Sequence, residues 1–154
     1  MKKFVSLLLA MLMVLSLVAC GGDGGQSNTN SGDKVIKIGV FEPLSGDSAS
    51  GGKKEVLGMQ YANSETPTVE LNGETYKVEL VLSDNGSSTD KAPSAASDLV
   101  SKGVSLVLGT YGSGAAMAGG PKFGEAGIAA IGVTCTNPNV TAGNDYYFRI
   151  CFLD

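Results

Sequence analysis

From residue 34 onward, short apolar runs alternate with turn-rich or amphipathic stretches. Residues 35–41 are mostly apolar, which is the pattern of a buried strand. Three further apolar runs, at 104–108, 128–133 and 146–150, are expected to be strands of the same sheet. Near-continuous apolar strands separated by helices indicate an α/β protein with an open, mostly parallel sheet flanked by helices.

One pair of strands is predicted to be antiparallel. Residues 68–71 and 74–82 flank the dipeptide Asn72-Gly73, whose two residues both tolerate a positive φ angle. The second arm alternates apolar and polar side chains, as a half-buried strand does. The pattern therefore predicts a β-hairpin.

Helices are predicted between the other strands. Thr89 or Asp90 is expected to cap the second helix, and Gly103 to end it. The Gly-Gly-Pro sequence at 119–121 is expected to kink or interrupt the third. The three predicted helices cover residues 53–63, 92–100 and 113–125.

The N-terminus has a different pattern from the rest of the chain. Lys2 and Lys3 precede an apolar run at 4–19. As a helix, this run would reach roughly 24 Å, short of a bilayer core of about 30 Å. A charged start followed by a short apolar stretch is typical of an export signal. We therefore predict export from the cytoplasm.

The sequence Leu17-Val18-Ala19-Cys20 resembles the lipobox of bacterial lipoproteins, in which the cysteine is acylated and becomes the mature N-terminus. Residues 21–33 are small and polar, which is the composition of a flexible tether. The predicted organisation is a lipoprotein signal peptide at 1–19, a tether at 20–33 and a folded domain at 34–154. The alternative is an ordinary secretory signal with a chance cysteine.

Composition narrows the functional classes. The 154 residues include no histidine, which excludes Ser-His-Asp, Cys-His and His-ligated zinc sites within this chain alone. The formal charge is −4, and no basic patch stands out, so no nucleic-acid partner is expected. A G-x-S-x-G nucleophile elbow is also absent. We therefore expect a binding protein without catalytic residues, metal or cofactor.

Cys135 and Cys151 could pair outside the cytoplasm, where disulfides form. Sequence does not show whether their α-carbons approach closely enough for a bridge. Small buried residues are the favoured interpretation, and a disulfide is the alternative.

Three segments should lie at the carboxyl ends of strands, where open parallel sheets bind ligands: 42–52, 109–114 and 133–138. The second is glycine-rich and opens a helix, so its amides favour an anion. It lacks the Lys-Ser/Thr pair of a phosphate-binding loop. A carboxylate between Ser113 and Thr136 could bind both hydroxyls. Alternatively, Thr134 and Thr136 only cap local turns.

These segments resemble the leucine/branched-chain amino-acid-binding proteins of ABC importers. The resemblance is carried by VIKIGV at 35–40, PLSG at 43–46, LVLG at 106–109 with Ser113, T-x-P at 136–138 and YFR at 147–149. It implies a periplasmic-binding-protein type I fold, in which two α/β lobes close on a small ligand. Residues 34–154 would be the N-terminal part of the first lobe, incomplete at the C-terminus, with apolar surface exposed after the last strand.

The resemblance also implies a set of ligand contacts. Ser113 would hold the α-carboxylate of an amino acid with its hydroxyl and amide, and the adjoining Gly112 would be a further ligand-binding residue. Thr134 would accept from the ammonium group through its backbone carbonyl, and Thr136 would contact both charged groups. Asp154 matches, more weakly, an acid that faces the ammonium in some relatives.

One departure from the family concerns the wall of the ligand pocket. Where several relatives have an aromatic residue in the first loop, this chain has Gly51. The resemblance implies a lipid-anchored, extracytoplasmic protein that delivers a branched-chain or related amino acid to ABC permease subunits. The alternatives are a ligand-sensing domain and a binder of an amide or urea-type solute on the same fold.

Overall fold

A computed structural model describes residues 34–154 of the chain. Within that range, strands and helices alternate as the apolar pattern predicts. The elements are β1 (Val35–Glu42), α1 (Ala49–Glu65), β2 (Thr68–Leu71), β3 (Glu74–Asp84), α2 (Ala92–Ser101), β4 (Leu106–Leu108), α3 (Ser113–Glu125), β5 (Ala129–Gly132), a 3-10 turn (Pro138–Val140) and β6 (Tyr147–Arg149).

The described strands form one sheet in the order β2-β3-β1-β4-β5-β6. From β3 to β6 every neighbouring pair is parallel, and β2 joins the edge as an antiparallel strand beside β3. Asn72 and Gly73 form the connecting turn with φ angles of 53° and 78°. The predicted α/β fold with an open, mostly parallel sheet is confirmed, and so is the hairpin.

Helices α2 and α3 cover one face of the sheet and enclose the core. Val107 of β4 and Ala130 of β5 are paired in register and lie on this face, where both are fully buried. The rings of Phe41 and Phe123 meet edge to face, with centroids 5.4 Å apart. The core therefore reaches the carboxyl end of β1, immediately next to the loops that follow the strands.

Helix α1 lies on the opposite face, beside β1 and β3. It leaves a mostly apolar groove of about 530 Å³, lined by Met59 of the helix and by strand residues such as Ile38 and Leu108. Beyond β6, Ile150 is 74% exposed and Phe152 is 78% exposed. Apolar side chains are thus exposed after the last strand, as expected.

Helix α2 begins at Ala92 without a side-chain cap, so the prediction that Thr89 or Asp90 caps it is wrong. The hydroxyl oxygen of Ser88 accepts hydrogen bonds from the backbone N–H groups of Asp90 and Lys91, at 3.2 and 3.3 Å. A turn held by Ser88 therefore precedes the helix and takes the place of a cap.

Helix α3 runs uninterrupted through Gly119, Gly120 and Pro121, so the predicted interruption is absent. The two glycines lie where the helix contacts aromatic rings. A Cβ at Gly119 would be 2.6 Å from the Phe41 ring, and one at Gly120 would be 2.8 Å from the Tyr147 ring. Close packing against the sheet stabilises a segment whose intrinsic helix propensity is low.

Helix α1 begins at Ala49, four residues before the predicted start at Lys53. Its first turn contains Gly51 and Gly52, which are weak helix formers and hide the start of the helix in the sequence pattern. Gly103, with a φ of 69°, follows the end of α2 as predicted.

The predicted signal peptide, the lipidation residue Cys20 and the tether lie outside the described residues. In the part of the chain that the structure describes, no helix is both long enough and apolar enough to cross a membrane.

The contact between Gly119 and Phe41 leads to a stability prediction. We expect Gly119→Ala to lower the free energy of unfolding by about 1–3 kcal/mol, because the added methyl overpacks the core. Gly58→Ala is the matched control, since a Cβ at Gly58 in exposed α1 meets nothing within 4 Å. That variant should gain about 0.5–1 kcal/mol. Urea unfolding of both variants checks this, and equal stability of the two would contradict it.

Candidate functional site

A cavity of about 660 Å³ lies at the carboxyl ends of β4, β5 and β6. It is built by the turn that leads into α3, the turn after β5 and the segment after β6. This is the edge at which parallel sheets bind ligands. The lining residues are Tyr111, Gly112, Ser113, Val133, Thr134, Thr136, Ile150, Cys151 and Phe152.

Ser113 lies at the first position of α3, directly after Gly112. Its hydroxyl oxygen accepts a hydrogen bond of 3.1 Å from the backbone N–H of Asn137. Because a hydroxyl both accepts and donates, its proton stays available for a ligand acceptor. The bond joins the turn after β4 to the turn after β5, so the predicted convergence of these two turns is present in the structure.

Thr134 and Thr136 reach the same cavity and have different partners. The Thr134 hydroxyl donates to Oε1 of Glu55 at 2.5 Å, so this side chain is held by helix α1. The carbonyl of Thr136 accepts from Nη1 of Arg149 at 2.8 Å and from the amide of Asp154 at 3.3 Å. The Thr134 side chain therefore contacts another element, whereas Thr136 is held through its backbone carbonyl.

Asp154 is the one predicted contact residue that does not line the cavity. Its amide is bonded to Thr136, and the residue is exposed. The structure therefore places Asp154 beside the site through its backbone and brings together Gly112, Ser113, Thr134 and Thr136.

The ring of Tyr111 lies against Gly51, the position at which the first loop has no side chain. A Cβ at Gly51 would lie 2.6 Å from atoms of the Tyr111 ring, so the ring covers this glycine closely. Tyr111 is 42% exposed and lines the cavity. The absence of a side chain on α1 thus leaves room for an aromatic ring that comes from the turn after β4.

A buried carboxyl group lies beneath that turn. Glu42 ends β1 and is fully buried, and its Oε2 accepts a hydrogen bond of 2.7 Å from the N–H of Tyr111. Burial and a hydrogen bond with the Glu55 carboxyl group raise the pKa of Glu42 to about 9, although the Tyr111 amide opposes the shift. Glu42 is therefore protonated at neutral pH.

Gly109 leaves space for the buried carboxyl group of Glu42. It has a φ of 122°, and a Cβ there would be 2.7 Å from Oε1 of Glu42. Its carbonyl accepts a hydrogen bond of 2.9 Å from the hydroxyl of Tyr147. Only glycine combines this backbone conformation with such a close approach to a carboxyl group.

The first loop is braced by Asp84 at the end of β3. Its Oδ1 accepts from the amides of Leu44 and Gly86, each at 2.8 Å, and its Oδ2 accepts from the Ser45 hydroxyl at 2.6 Å. Partial burial opposes ionisation, but these hydrogen bonds outweigh it and hold the pKa of Asp84 below its usual value. Ser45 thus has a structural partner and does not line the cavity.

Cys135 and Cys151 are both free thiols in the structure. Cys135 is buried, as the favoured interpretation predicts, and burial raises its pKa to about 11. Cys151 is half-buried, and its thiol donates to the carbonyl of Cys135 at 3.4 Å. The raised pKa of Cys135 keeps its thiol protonated and therefore a weak nucleophile.

The site is suited to a ligand with a carboxylate. It offers the Ser113 hydroxyl and the free amides at the start of α3, where the helix dipole favours negative charge. Among residues 34–154, no group of three or more Asp, Glu or Cys side chains is arranged to hold a metal ion.

Sequence reasoning missed Glu42, Glu55, Tyr111 and Arg149. Glu42 had a signal, because a carboxyl group between Phe41 and Pro43 interrupts an apolar run at the end of a buried strand. The others had none, since their partners are brought close only by the folded chain.

The chain resembles known proteins over almost all of the described region. A family model described as "Periplasmic binding protein" matches residues 35–153. A curated relative, the Leu/Ile/Val-binding protein homolog 3 of Brucella melitensis, is 31% identical over 93% of this chain and 38% of its own length.

Two solved structures are similar in fold and sequence. The leucine binding protein LivK of Thermotoga maritima has a TM-score of 0.72 and 34% identity, covering 78% of this chain and 33% of its own. The substrate binding protein LivJ of Streptococcus pneumoniae, in complex with isoleucine, has a TM-score of 0.69 and 33% identity, covering 78% and 34%. The chain thus spans between about a third and two fifths of the length of these relatives.

The protonated state of Glu42 leads to a prediction about pH. Between about pH 4.5 and 9 the folded chain keeps a proton that the unfolded chain loses, so the free energy of unfolding falls as pH rises through this window. The limit is about 1.4 kcal/mol per pH unit. Glu42→Gln removes this proton, and we expect it to flatten the pH dependence of stability.

Urea unfolding at pH 6 and pH 8 measures the effect. We expect the wild type to lose roughly 1–3 kcal/mol more than Glu42→Gln between these two values. Glu79→Gln, an exposed carboxyl group on β3, is the control and should follow the wild type. Parallel pH curves for the wild type and Glu42→Gln would contradict the assignment.

Proposed function

This chain belongs to the periplasmic binding protein family, and we propose that it is the solute-binding component of an ABC importer that captures a branched-chain or related amino acid. The observation that carries the proposal is the cavity in which Ser113, Thr134 and Thr136 meet at the carboxyl ends of the strands. Binding requires no catalytic group, and the proposed activity is capture and release of the ligand without chemical change.

The polar part of the cavity suits the charged groups of an amino acid. Ser113 would donate its hydroxyl and amide to the α-carboxylate, at the positive end of the α3 dipole. The Thr134 carbonyl would accept from the ammonium group, which leaves its hydroxyl free for the bond that it makes with Glu55. Thr136 would contact both charged groups, with Asp154 as a second acceptor beside the ammonium.

The apolar part of the cavity suits an aliphatic side chain. Tyr111, Ile150 and Phe152 lie on the same cavity as Ser113. We infer that the Tyr111 ring supplies the wall that an aromatic residue of the first loop supplies in several relatives. The isoleucine named for the Streptococcus pneumoniae structure supports a ligand of this class.

The location proposed for the protein follows from the N-terminal sequence and the family. A signal peptide at 1–19 would direct export, lipidation of Cys20 would anchor the mature chain, and residues 20–33 would tether the first lobe at 34–154 outside the cytoplasm. A diacyl anchor contributes about 0.8 kcal/mol per buried methylene, which is enough to retain a protein on a membrane. The partners would be permease subunits of the importer.

A binding titration tests the proposed site. We expect Ser113→Ala and Thr136→Ala each to weaken binding of L-leucine, L-isoleucine or L-valine by about ten- to a hundredfold, because each removes a hydrogen bond to a charged group. Thr134→Ala should weaken it less, since its proposed ligand contact is through the backbone. The measurement is calorimetry on the protein expressed from its complete coding sequence.

Leucinamide, which lacks the α-carboxylate, is the matched control ligand. Its affinity should hardly change in Ser113→Ala. In Thr136→Ala it should fall less than the affinity for L-leucine, because only the proposed contact of Thr136 with the ammonium group is then lost. Full amino-acid affinity in both variants would remove these residues from the site, and a wild type that binds none of the three amino acids would refute the proposed ligand class.

A second experiment tests the anchor. We expect Cys20→Ala to move the protein from the membrane fraction to the soluble fraction, because the variant has no thiol to acylate. Fractionation and mass spectrometry of the mature N-terminus provide the measurement. Unchanged membrane retention together with an unmodified N-terminus would contradict lipidation.

A further inference from the structure

The carboxyl groups of Glu42 and Glu55 lie within hydrogen-bonding reach of each other, below Tyr111 and Thr134 of the cavity. Glu42 comes from the end of β1, and Glu55 comes from helix α1. Each carboxyl group has one oxygen with a partner, since Glu42 accepts from the amide of Tyr111 and Glu55 accepts from the hydroxyl of Thr134. The other two oxygens, Oε1 of Glu42 and Oε2 of Glu55, are buried and have no partner among the described residues.

One proton placed between the two groups accounts for both unpartnered oxygens. A protonated carboxyl group is a donor, and an ionised one accepts through either oxygen. Two ionised carboxylates side by side in a buried place repel each other strongly, and one of them therefore takes up a proton. Within residues 34–154, neither group forms an ion pair with a lysine or arginine that could neutralise it otherwise.

We propose that Glu42 and Glu55 share one proton, and that this carboxyl–carboxylate hydrogen bond positions the ligand-binding turns of the cavity. The inference rests on the proposed function, because it assigns a role in binding to residues outside the cavity. Glu42 and Glu55 are positioning residues: they act through Tyr111 and Thr134 and do not contact the ligand.

The hydrogen-bond connections show how positioning works. Glu55 holds the turn after β5 through Thr134, and Glu42 holds the turn after β4 through Tyr111, two residues before Ser113. The shared proton joins these two supports to each other. Loss of the proton leaves two adjacent negative charges, which separate α1 from β1 and release both turns. Ligand affinity therefore falls at alkaline pH.

Other titratable groups near the pair lose their protons later. Tyr147 of β6 lies close enough to interact electrostatically with Glu42, with Glu55 and with Cys135, which follows β5. Burial raises the pKa of Cys135 to about 11 and holds the pKa of Tyr147 well above its usual value. Burial and the Glu55 contact raise the pKa of Glu42 to about 9. Of Glu42, Cys135 and Tyr147, Glu42 is therefore the one whose pKa lies between pH 7 and 9.5.

Titration with L-leucine at pH 7 and pH 9.5 tests the proposal on the protein expressed from its complete coding sequence. The amide of Glu42→Gln still accepts from Tyr111 and still donates to Glu55, but it carries no titrating proton. We expect this variant to bind within about threefold of the wild type at pH 7. Its affinity relative to the wild type should then rise by up to about fourfold at pH 9.5, because a group with a pKa of about 9 has lost most of its protons there. Ionisation of the ligand affects both proteins equally and cancels in the ratio.

Two further variants separate positioning from a general effect on folding. Glu42→Ala removes the group that donates to Glu55 and should weaken binding about tenfold at pH 7. Glu42→Gln keeps a donor at this position and should bind nearly as the wild type does. Glu79→Gln, exposed on β3, should match the wild type at both pH values. An affinity ratio between the wild type and Glu42→Gln that does not change with pH would overturn the proposal.

A measurement without ligand distinguishes this inference from the proposed function. The ¹³C-methyl resonance of Thr134 should shift between pH 7 and 9.5 in the wild type and stay constant in Glu42→Gln. If no amino acid binds while this resonance titrates, the proposed function fails and the shared proton is supported. If L-leucine binds and the resonance does not titrate, the shared proton is refuted and the proposed function stands.

Discussion

The parallel register of β1, β4, β5 and β6 is the constraint on which the site depends. Ile38 pairs with Leu106, and Leu106 pairs with Ala129, so the strands end at the same edge of the sheet. Parallel strands require long crossovers, which here contain the helices, except that a loop with a 3-10 turn joins β5 to β6. Turns far apart in sequence therefore meet, and the amide of Tyr111 reaches Glu42 across 69 positions of the chain. The cavity is a consequence of this pairing.

The backbone of the site was largely predictable, because it follows from local patterns. The bounds of α3, the hairpin at Asn72-Gly73 and the convergence of Ser113 with the turn after β5 were predicted from apolar periodicity and turn residues. The start of α2 was predicted wrongly. Ser88, Thr89 and Asp90 are adjacent, and all three residue types form local hydrogen bonds with the backbone, so the sequence does not show which of them does so here.

Side-chain partners across elements were beyond the reach of sequence. The bond between Thr134 and Glu55 joins positions 79 residues apart, and nothing local in either segment indicates it. The same holds for the contact between the Tyr111 ring and Gly51, which joins the turn after β4 to helix α1. In the sequence Gly51 is a gap in the pocket wall. In the folded chain the ring of Tyr111 lies against this glycine.

Gly51 and Glu55 are four residues apart in α1 and therefore lie on the same face of the helix. Through that face the helix contacts Tyr111 after β4 and Thr134 after β5, so a helix that contributes no side chain to the cavity supports two of its walls. An apolar contact could hold these turns together, but it would tolerate small shifts. Hydrogen bonds between buried polar groups are directional, and an unpaired buried carboxyl oxygen is costly, so displacement is penalised in every direction. In the proposed arrangement, the acidic pair beneath the site therefore gives up some stability at neutral pH and makes the ligand edge more rigid.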